Sequence, residues 1–388
     1  MHYGYDSLGR LASITWPVAV EGHDLEVLYA WDASGDLASV TNAHTGTVYW
    51  QLAGVADEVS AWGAAQRWTL GNGVTVRRLL DPATGRVTSI TAGPNYSALR
   101  VSLAYARDAR GNVTEAFDIL TGVGYKSATT HYDALDRLHE FRVHNDAGGH
   151  GFTANYTAGG NLHWRSGAGH YYYNASQPHA VSKIEGYGET SHYHYNGVGE
   201  MTSGPSLGQI DWTRGGRVKQ LVGATTTSLA YGANGHLVQK SVAGTTSRYV
   251  GRLLVKIGDS WRARIVANGE VIAIVKINAA GVPTTDYLVN DAQGSPAALL
   301  NESGGLIARF AWNAWGELVD PADGTGPDPN ADQKHALTTL GYTGHEMLWE
   351  AGLVHTYARL YNAHIGRWLS PDPTVPRPFN GQGLNRYS

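Results

Sequence analysis

Tyr5-Asp6-Ser7-Leu8-Gly9-Arg10-Leu11 decides how this chain is read. The pattern is an aromatic, an Asp or Asn, two variable residues, a glycine, a polar residue and an aliphatic. It returns as Trp31-Asp32-Ala33-Ser34-Gly35-Asp36-Leu37, as Arg107-Asp108-Ala109-Arg110-Gly111-Asn112-Val113 and as Tyr132-Asp133-Ala134-Leu135-Asp136-Arg137-Leu138. Leu80-Asp81-Pro82-Ala83-Thr84-Gly85-Arg86-Val87 carries one residue more in the loop, and weaker copies open at Tyr156, Tyr195, Trp212, Tyr231, Trp312 and Tyr361. Each part has a physical role. The Asp or Asn carboxyl or amide oxygen accepts backbone N–H groups two residues on and starts a turn. The glycine supplies a positive φ that closes a hairpin loop. The flanking aromatic and aliphatic pair across the two strands. One copy predicts a hairpin. Eleven copies in series predict an all-β chain of hairpins wound into one continuous antiparallel spiral sheet, because each unit needs its neighbours to bury an apolar face.

Composition agrees. There are 22 Tyr and 12 Trp but only 5 Phe, so the aromatic positions favour rings with a polar tip, suited to sheet that meets water, and a sheet wetted on both faces would account for them. The 49 glycines fit a turn-rich chain. Charged residues are 16% and the net charge is −4, which excludes a highly charged disordered chain and gives no basic surface for nucleic acid. Cys is absent, which excludes disulfide scaffolds, thiolate metal sites and cysteine nucleophiles. No apolar run is long enough for a transmembrane helix, and no signal peptide opens the chain. Alternation marks strands at Arg252–Lys256 and Val271–Ile277. Short helices are expected at Ala56–Trp68 and Ala331–Leu340. The Pro- and Asp-rich stretch Asp320–Asp332 reads as a loop, and the texture changes from Leu340 onward.

Several longer blocks carry a family resemblance. Leu70-Gly71-Asn72-Gly73, Asp291-Ala292-Gln293-Gly294-Ser295-Pro296, Gly341-Tyr342-Thr343-Gly344-His345-Glu346, Arg359-Leu360-Tyr361-Asn362, Gly366-Arg367-Trp368-Leu369-Ser370-Pro371-Asp372-Pro373 and Asn385-Arg386-Tyr387-Ser388 occur in that order. Together with the repeats they resemble the RHS/YD-repeat family, which includes Tc-toxin C-components, polymorphic-toxin RHS shells and teneurins. The resemblance implies residues 1–286 as a YD/RHS repeat shell and 287–388 as an RHS repeat-associated core. It implies a hollow, barrel-like cage that encloses a C-terminal toxic polypeptide. It also implies a bacterial protein made in the cytoplasm and exported, with a second shell protein like the Tc B-component, or self-association, as a partner.

Chemistry concentrates at one place. Family members of this kind cut their own chain by aspartic-protease-like chemistry, in which two carboxylates share a site and an Arg keeps one ionised. Arg367 and Asp372 lie on the matching motif and are the candidate catalytic residues of an intact parent. A second Asp-Pro-x-Gly element is not found in this sequence, so the chain as given is not expected to act as an enzyme. No cofactor and no metal are expected. His192 and His194 would share a strand face, with His163, His170 and His179 not far off, but polar residues facing water are the simpler reading. His345-Glu346 is not H-E-x-x-H, since Trp349 stands at the second histidine position. The Asp320–Asp332 loop lacks EF-hand spacing. Three readings follow: a toxin-encapsulating shell, a teneurin-like adhesion or carbohydrate- or receptor-binding module, and a self-cleaving core that needs a second carboxylate.

Overall fold

The structure is a computed structural model. It describes all residues except 21, 55–57, 95–97, 121–123, 146–147, 323, 325 and 376–383, and of 124–126, 145 and 148 the backbone alone. The chain is all-β, built from antiparallel hairpins in series, with one short α-helix, Ala331–Leu337, among the described residues. It folds as two compact units, each drawn from two separated stretches: Met1–Ser127 with Ser247–Ala311, and Ala128–Thr246 with Trp312–Ser388.

The repeat folds as its residues dictate. At the first copy, Asp6 Oδ1 accepts the amides of Leu8 and Arg10, each at 2.9 Å. Gly9 N–H donates to Asp6 O at 3.0 Å with φ 77°, and Asp6 N–H donates to Arg10 O at 2.9 Å. The same amide contacts recur at Asp32, Asp108, Asp133, Asn196 and Asn313. Asp136 stands where other copies have glycine and takes φ 60°, a conformation that Asp tolerates better than most side chains. The aromatic and aliphatic pair across the strands as expected: Tyr5 with Leu11, Trp31 with Leu37, Tyr156 with Leu162, Trp212 with Val218 and Tyr231 with Leu237.

A second device joins one hairpin to the next. The Trp31 indole N–H donates to Leu11 O at 2.8 Å, the Tyr156 hydroxyl to Leu138 O at 2.8 Å, the Tyr173 hydroxyl to Leu162 O at 2.8 Å and the Trp212 indole to Met201 O at 2.7 Å. Each acceptor is the aliphatic that closes the preceding turn. Phe has no polar tip and cannot make this latch, which gives a structural reason for the excess of Tyr and Trp. The Arg before that aliphatic adds a cation–π contact to the next unit's ring: Arg10 over Trp31 at 5.4 Å, Arg137 over Tyr156 at 4.3 Å and Arg217 over Tyr231 at 5.4 Å.

In the first unit, strands from His2–Tyr5 through Val113–Leu120 pair each with the next in sequence, and so do strands from Leu254–Ile257 through Leu306–Arg309. The two runs pack on one another through an apolar core that includes Trp16, Val27, Trp50 and Ile90 from one and Ile265, Ala273, Val275 and Leu300 from the other. Polar ties cross the core: the Trp16 indole N–H donates to Leu253 O at 3.2 Å, and Arg78 holds Glu270 with two bonds of 2.7 and 2.9 Å. Leu11–Val20 alternates buried and open positions, as one dry face requires. Two expectations need correction here. Val271–Ile277 is strand but does not alternate, because Ile272 to Val275 are all buried. Sheet wetted on both faces does not describe this unit, where the inner face is dry.

In the second unit, a run from Leu138–Asn145 to Glu189–His192 and another from His194–Tyr195 to Leu237–Val242 continue the hairpin series. The C-terminal stretch packs against them. A helix expected at Ala56–Trp68 is absent from its described residues, 58–68; a bridge from Val59 to Ala65 and the start of strand Arg67–Leu70 stand there instead. The other expected helix, Ala331–Leu340, forms but ends at Leu337, with Thr338 already extended. Lys334 on its inner face pairs with the buried Asp328, which ties the helix to the preceding loop.

Candidate functional site

The C-terminal block builds the site. Glu346–Leu348, Leu353–His355, Leu360–Asn362 and Arg367–Trp368 form a four-stranded antiparallel meander. Its last strand carries Arg367, and the chain then reaches Asp372. Asp372 Oδ1 accepts the amide of Thr374 at 2.8 Å and its hydroxyl at 2.7 Å. Oδ2 takes a 2.7 Å charge-assisted bond from Arg359 Nη2. The Thr374 hydroxyl and amide, then Arg359 and Arg386, hold the Asp372 carboxyl below the usual carboxylate range, against the opposing effect of burial. Asp372 is therefore ionised at neutral pH.

Arg359 is itself positioned. Its guanidinium stacks on Trp368 at 4.1 Å, and its Nη1 donates to Arg386 O at 3.2 Å. The Asn385-Arg386-Tyr387-Ser388 tetrapeptide closes the site. Asp372 N–H donates to Arg386 O at 2.8 Å, and Arg386 Nε donates back to Asp372 O. Tyr387 O accepts Trp368 N–H at 3.3 Å, and the Tyr387 hydroxyl donates to Gly199 O at 2.5 Å. Asn385 Nδ2 donates to Gly160 O at 2.9 Å.

Arg367 and Asp372 are not partnered with each other. Arg367 is buried, at 2% exposure, and its Nη2 donates to His179 O and to Asn385 Oδ1, each at 2.9 Å. The cation beside Asp372 is Arg359. The sequence blocks that contain Arg359 and Asn385-Arg386-Tyr387-Ser388 give them no part in the site. The one signal they carry is an Arg within such a block. Its partner lies 13 residues on, a distance that turn chemistry does not bridge.

Neighbouring groups serve packing. Arg165 donates through Nη1 to Ala363 O at 2.9 Å and through Nη2 to His364 O, and so grips the last repeat turn. His355 is buried against Tyr231, and burial pushes its pKa down to about 4. His163 and His170 meet edge to face at 5.8 Å, and His179 Nδ1 lies 2.8 Å from Asn161 Oδ1. Among the described residues no group of three or more His, Asp or Glu is placed to hold a metal. Asp328, in the Asp320–Asp332 loop, is engaged by Lys334.

Comparison with known proteins follows the same lines. Residues 267–382 match the family model described as Teneurin YD-shell. The structure superposes on a crystal structure of TcdB2-TccC3 without its hypervariable C-terminal region, with a TM-score of 0.73 and 18% identity over 99% of this chain and 20% of that one. This chain has the YD-shell fold. A further crystal structure of TcdB2-TccC3 gives the same TM-score and identity, over 99% of this chain and 21% of the other. The Tc holotoxin pore of Photorhabdus luminescens gives 0.56 at 16% identity, over 99% and 20%. The chain thus spans about a fifth of the length of the solved structures it matches. No curated protein matches its sequence. Among the described residues no helix is long and apolar enough to cross a membrane.

Proposed function

We propose that this YD-repeat chain is wall material of a toxin-encapsulating shell. The observation that carries the reading is the match of nearly the whole chain to TcdB2-TccC3, with the core block folded onto the repeats of its own unit. In this reading residues 1–286 are the repeat wall and 287–388 the repeat-associated core. The enclosed partner is a C-terminal polypeptide. A second shell protein, in the place that TcdB2 has beside TccC3, or a second copy completes the enclosure. The protein is bacterial and exported with its contents. Small-angle scattering of the purified chain tests the wall reading: a distance distribution with a depleted centre supports it, and that of a solid body of the same mass speaks for an adhesion module.

The Asp372 environment favours a second activity in an intact parent, cleavage of its own chain. One ionised carboxylate, able to take a proton from water, is in place, held by Thr374 and Arg359; cleavage needs a second, protonated carboxyl to donate to the carbonyl of the peptide bond under attack. Arg367, on the same motif, supports the site through Asn385 rather than through Asp372. Denaturing mass spectrometry of the native gene product, continued past Ser388, beside its Asp372→Asn variant tests this. Two fragments from the parent and one from the variant support cleavage. One intact chain from both removes it and leaves Asp372 a turn residue.

A further inference from the structure

An Asn-Gly pair carries a latent backbone reaction. Glycine has no side chain to shield its nitrogen, and that nitrogen can attack the Asn carboxamide carbon and close a succinimide ring. The reaction needs an Asn side chain free to turn onto the next residue and a glycine N–H free of an acceptor. The sequence has five such pairs, of which Asn380-Gly381 lies outside the described residues. The structure separates the other four.

Three of them are held. Asn196 Oδ1 accepts the amides of Val198 at 3.1 Å and Glu200 at 3.0 Å, and its Nδ2 donates to Glu200 Oε2 at 2.7 Å. Asn72 Oδ1 accepts Val74 N–H at 3.2 Å, its Nδ2 donates to Asn301 O at 2.9 Å, and Gly73 N–H donates to Leu70 O at 2.9 Å. Asn234 Oδ1 accepts His236 N–H at 3.0 Å, and Gly235 N–H, the attacking group, is engaged by Gly232 O at 2.8 Å.

Asn268-Gly269 differs from all three. The pair is the whole loop between strands Ser260–Ala267 and Glu270–Ile277, since Ala267 stands directly opposite Glu270 across the hairpin. Both residues take positive φ, 49° and 80°, as a two-residue hairpin loop requires. Both are exposed. Among the described residues no group bonds the Asn268 side chain or the Gly269 N–H. The strand pair on either side closes this loop, and the Asn268 amide takes no part in it.

We infer that Asn268 is a site of spontaneous deamidation, which places Asp or isoaspartate at the tip of this hairpin. The Gly269 nitrogen gives up its proton to solvent base and bonds to Asn268 Cγ, and the side-chain nitrogen leaves as ammonia. Water then opens the succinimide at either carbonyl, giving Asp or isoaspartate, with no change of oxidation state. The new carboxylate arises beside Glu270, whose own carboxylate is held by Arg78 and Asn290. The isoaspartate form also lengthens the main chain of a loop that holds only these two residues. It is a substrate of the class that isoaspartate-specific methyltransferases accept. This inference is independent of the shell reading, since it concerns the covalent chemistry of one hairpin.

The test ages the full chain in mildly alkaline buffer, folded and, in parallel, unfolded in guanidinium chloride. Peptide mass spectrometry follows, at each Asn-Gly pair, the mass gained when an amide becomes an acid. Methyl transfer from S-adenosylmethionine by an isoaspartate-specific methyltransferase marks the isoaspartate product on the same peptides. The unfolded chain gives the unprotected rate of every site. In the folded chain Asn268 is expected to react about tenfold or more faster than Asn72, Asn196 and Asn234, the factor implied when two hydrogen bonds must break together. The gain on the peptide that spans residue 268 is expected to vanish in Asn268→Gln, whose longer side chain closes the ring far less readily. Comparable folded rates at the four sites, a faster one among the other three, or no gain at Asn268 while the unfolded chain reacts, overturns the proposal. So does a gain on that peptide that persists in Asn268→Gln.

Discussion

The turns at Asp6 and at Asp372 start from the same chemistry and end in different places. Both carboxylates accept the amide two residues on. Asp6 spends its other oxygen on Arg10, four residues away in the same turn. Asp372 spends its other oxygen on Arg359, whose bond comes from outside the turn, while its backbone N–H donates to Arg386 O and its carbonyl accepts from Arg386 Nε. The first turn is closed on itself and serves as a repeat element. The second is a junction of three stretches of chain. The difference teaches that the motif makes the turn, while distant partners decide whether the turn also serves as a site.

Glycines give the largest contrast of this kind. Gly9 has open space around its missing Cβ and is constrained only by its φ of 77°. Gly71 has an ordinary φ, but a Cβ there would lie 1.8 Å from Val48 O and 2.5 Å from the Tyr287 hydroxyl. Gly71→Ala should therefore cost about 3 kcal/mol or more through forced backbone movement, and Gly9→Ala about 1 kcal/mol through local strain. Urea unfolding of the two variants checks the order, and equal losses would break the distinction between local and distant constraint.

The hydrogen-bond latch comes next. Tyr156→Phe removes the bond to Leu138 O and should cost about 1 kcal/mol. Tyr5, 64% exposed, lies on the outermost strand of its run, and Tyr5→Phe should change stability little. Equal effects at both positions would remove the latch as the reason for Tyr at these positions. Arg359 and Asp372 should then show coupling in a double-mutant cycle with Arg359→Met and Asp372→Asn, of about 1 kcal/mol for a half-buried pair. Arg10 with Asp6 should show less, and salt should weaken it further.

A further contrast is a difference of sign with pH. Asp372 has a lowered folded pKa, so its stabilising contribution is present above the unfolded value near 3.8 and is lost as pH falls through the lower folded value. Asp291 heads the same kind of turn, accepting Gln293 N–H at 2.8 Å and Ser295 N–H at 2.9 Å. Burial outweighs those bonds and pushes its pKa up to about 6. Its protonated form suits the folded chain, so stability should fall as pH rises from about 4 to about 6. Asp291→Asn keeps an acceptor for both amides and should flatten that segment of the profile, whereas Asp372→Asn should flatten the acid limb below pH 4. Melting curves across pH 3 to 8 check both signs.

What the sequence made legible follows the same division. The turn, its glycine, the cross-strand pair and the antiparallel order depend on residues within one or two hairpins, and all are present as read. The helix expected at Ala56–Trp68 shows where local reading fails: the described part of the segment becomes a bridged turn between strands of the sheet, where pairing overrides helix propensity. Ile272–Val275 is buried at every position, so both faces of the strand are covered, a fact that no alternation pattern reports. At the candidate site, the turn at Asp372 was legible because its motif is local. Its partnership with Arg359, and the attachment of Arg367 to His179 and Asn385, depend on how the meander and the last four residues fold back, which no spacing rule encodes.

Enclosure is the central functional claim, and it can be tested without knowing the natural cargo. A protease-sensitive, unstructured polypeptide fused after Ser388 should resist trypsin while the wall is folded and be cut once the wall is unfolded in urea. Protection lost in step with unfolding is the predicted result. Cleavage of the fused polypeptide at the rate of the free one, with the wall intact, would contradict enclosure.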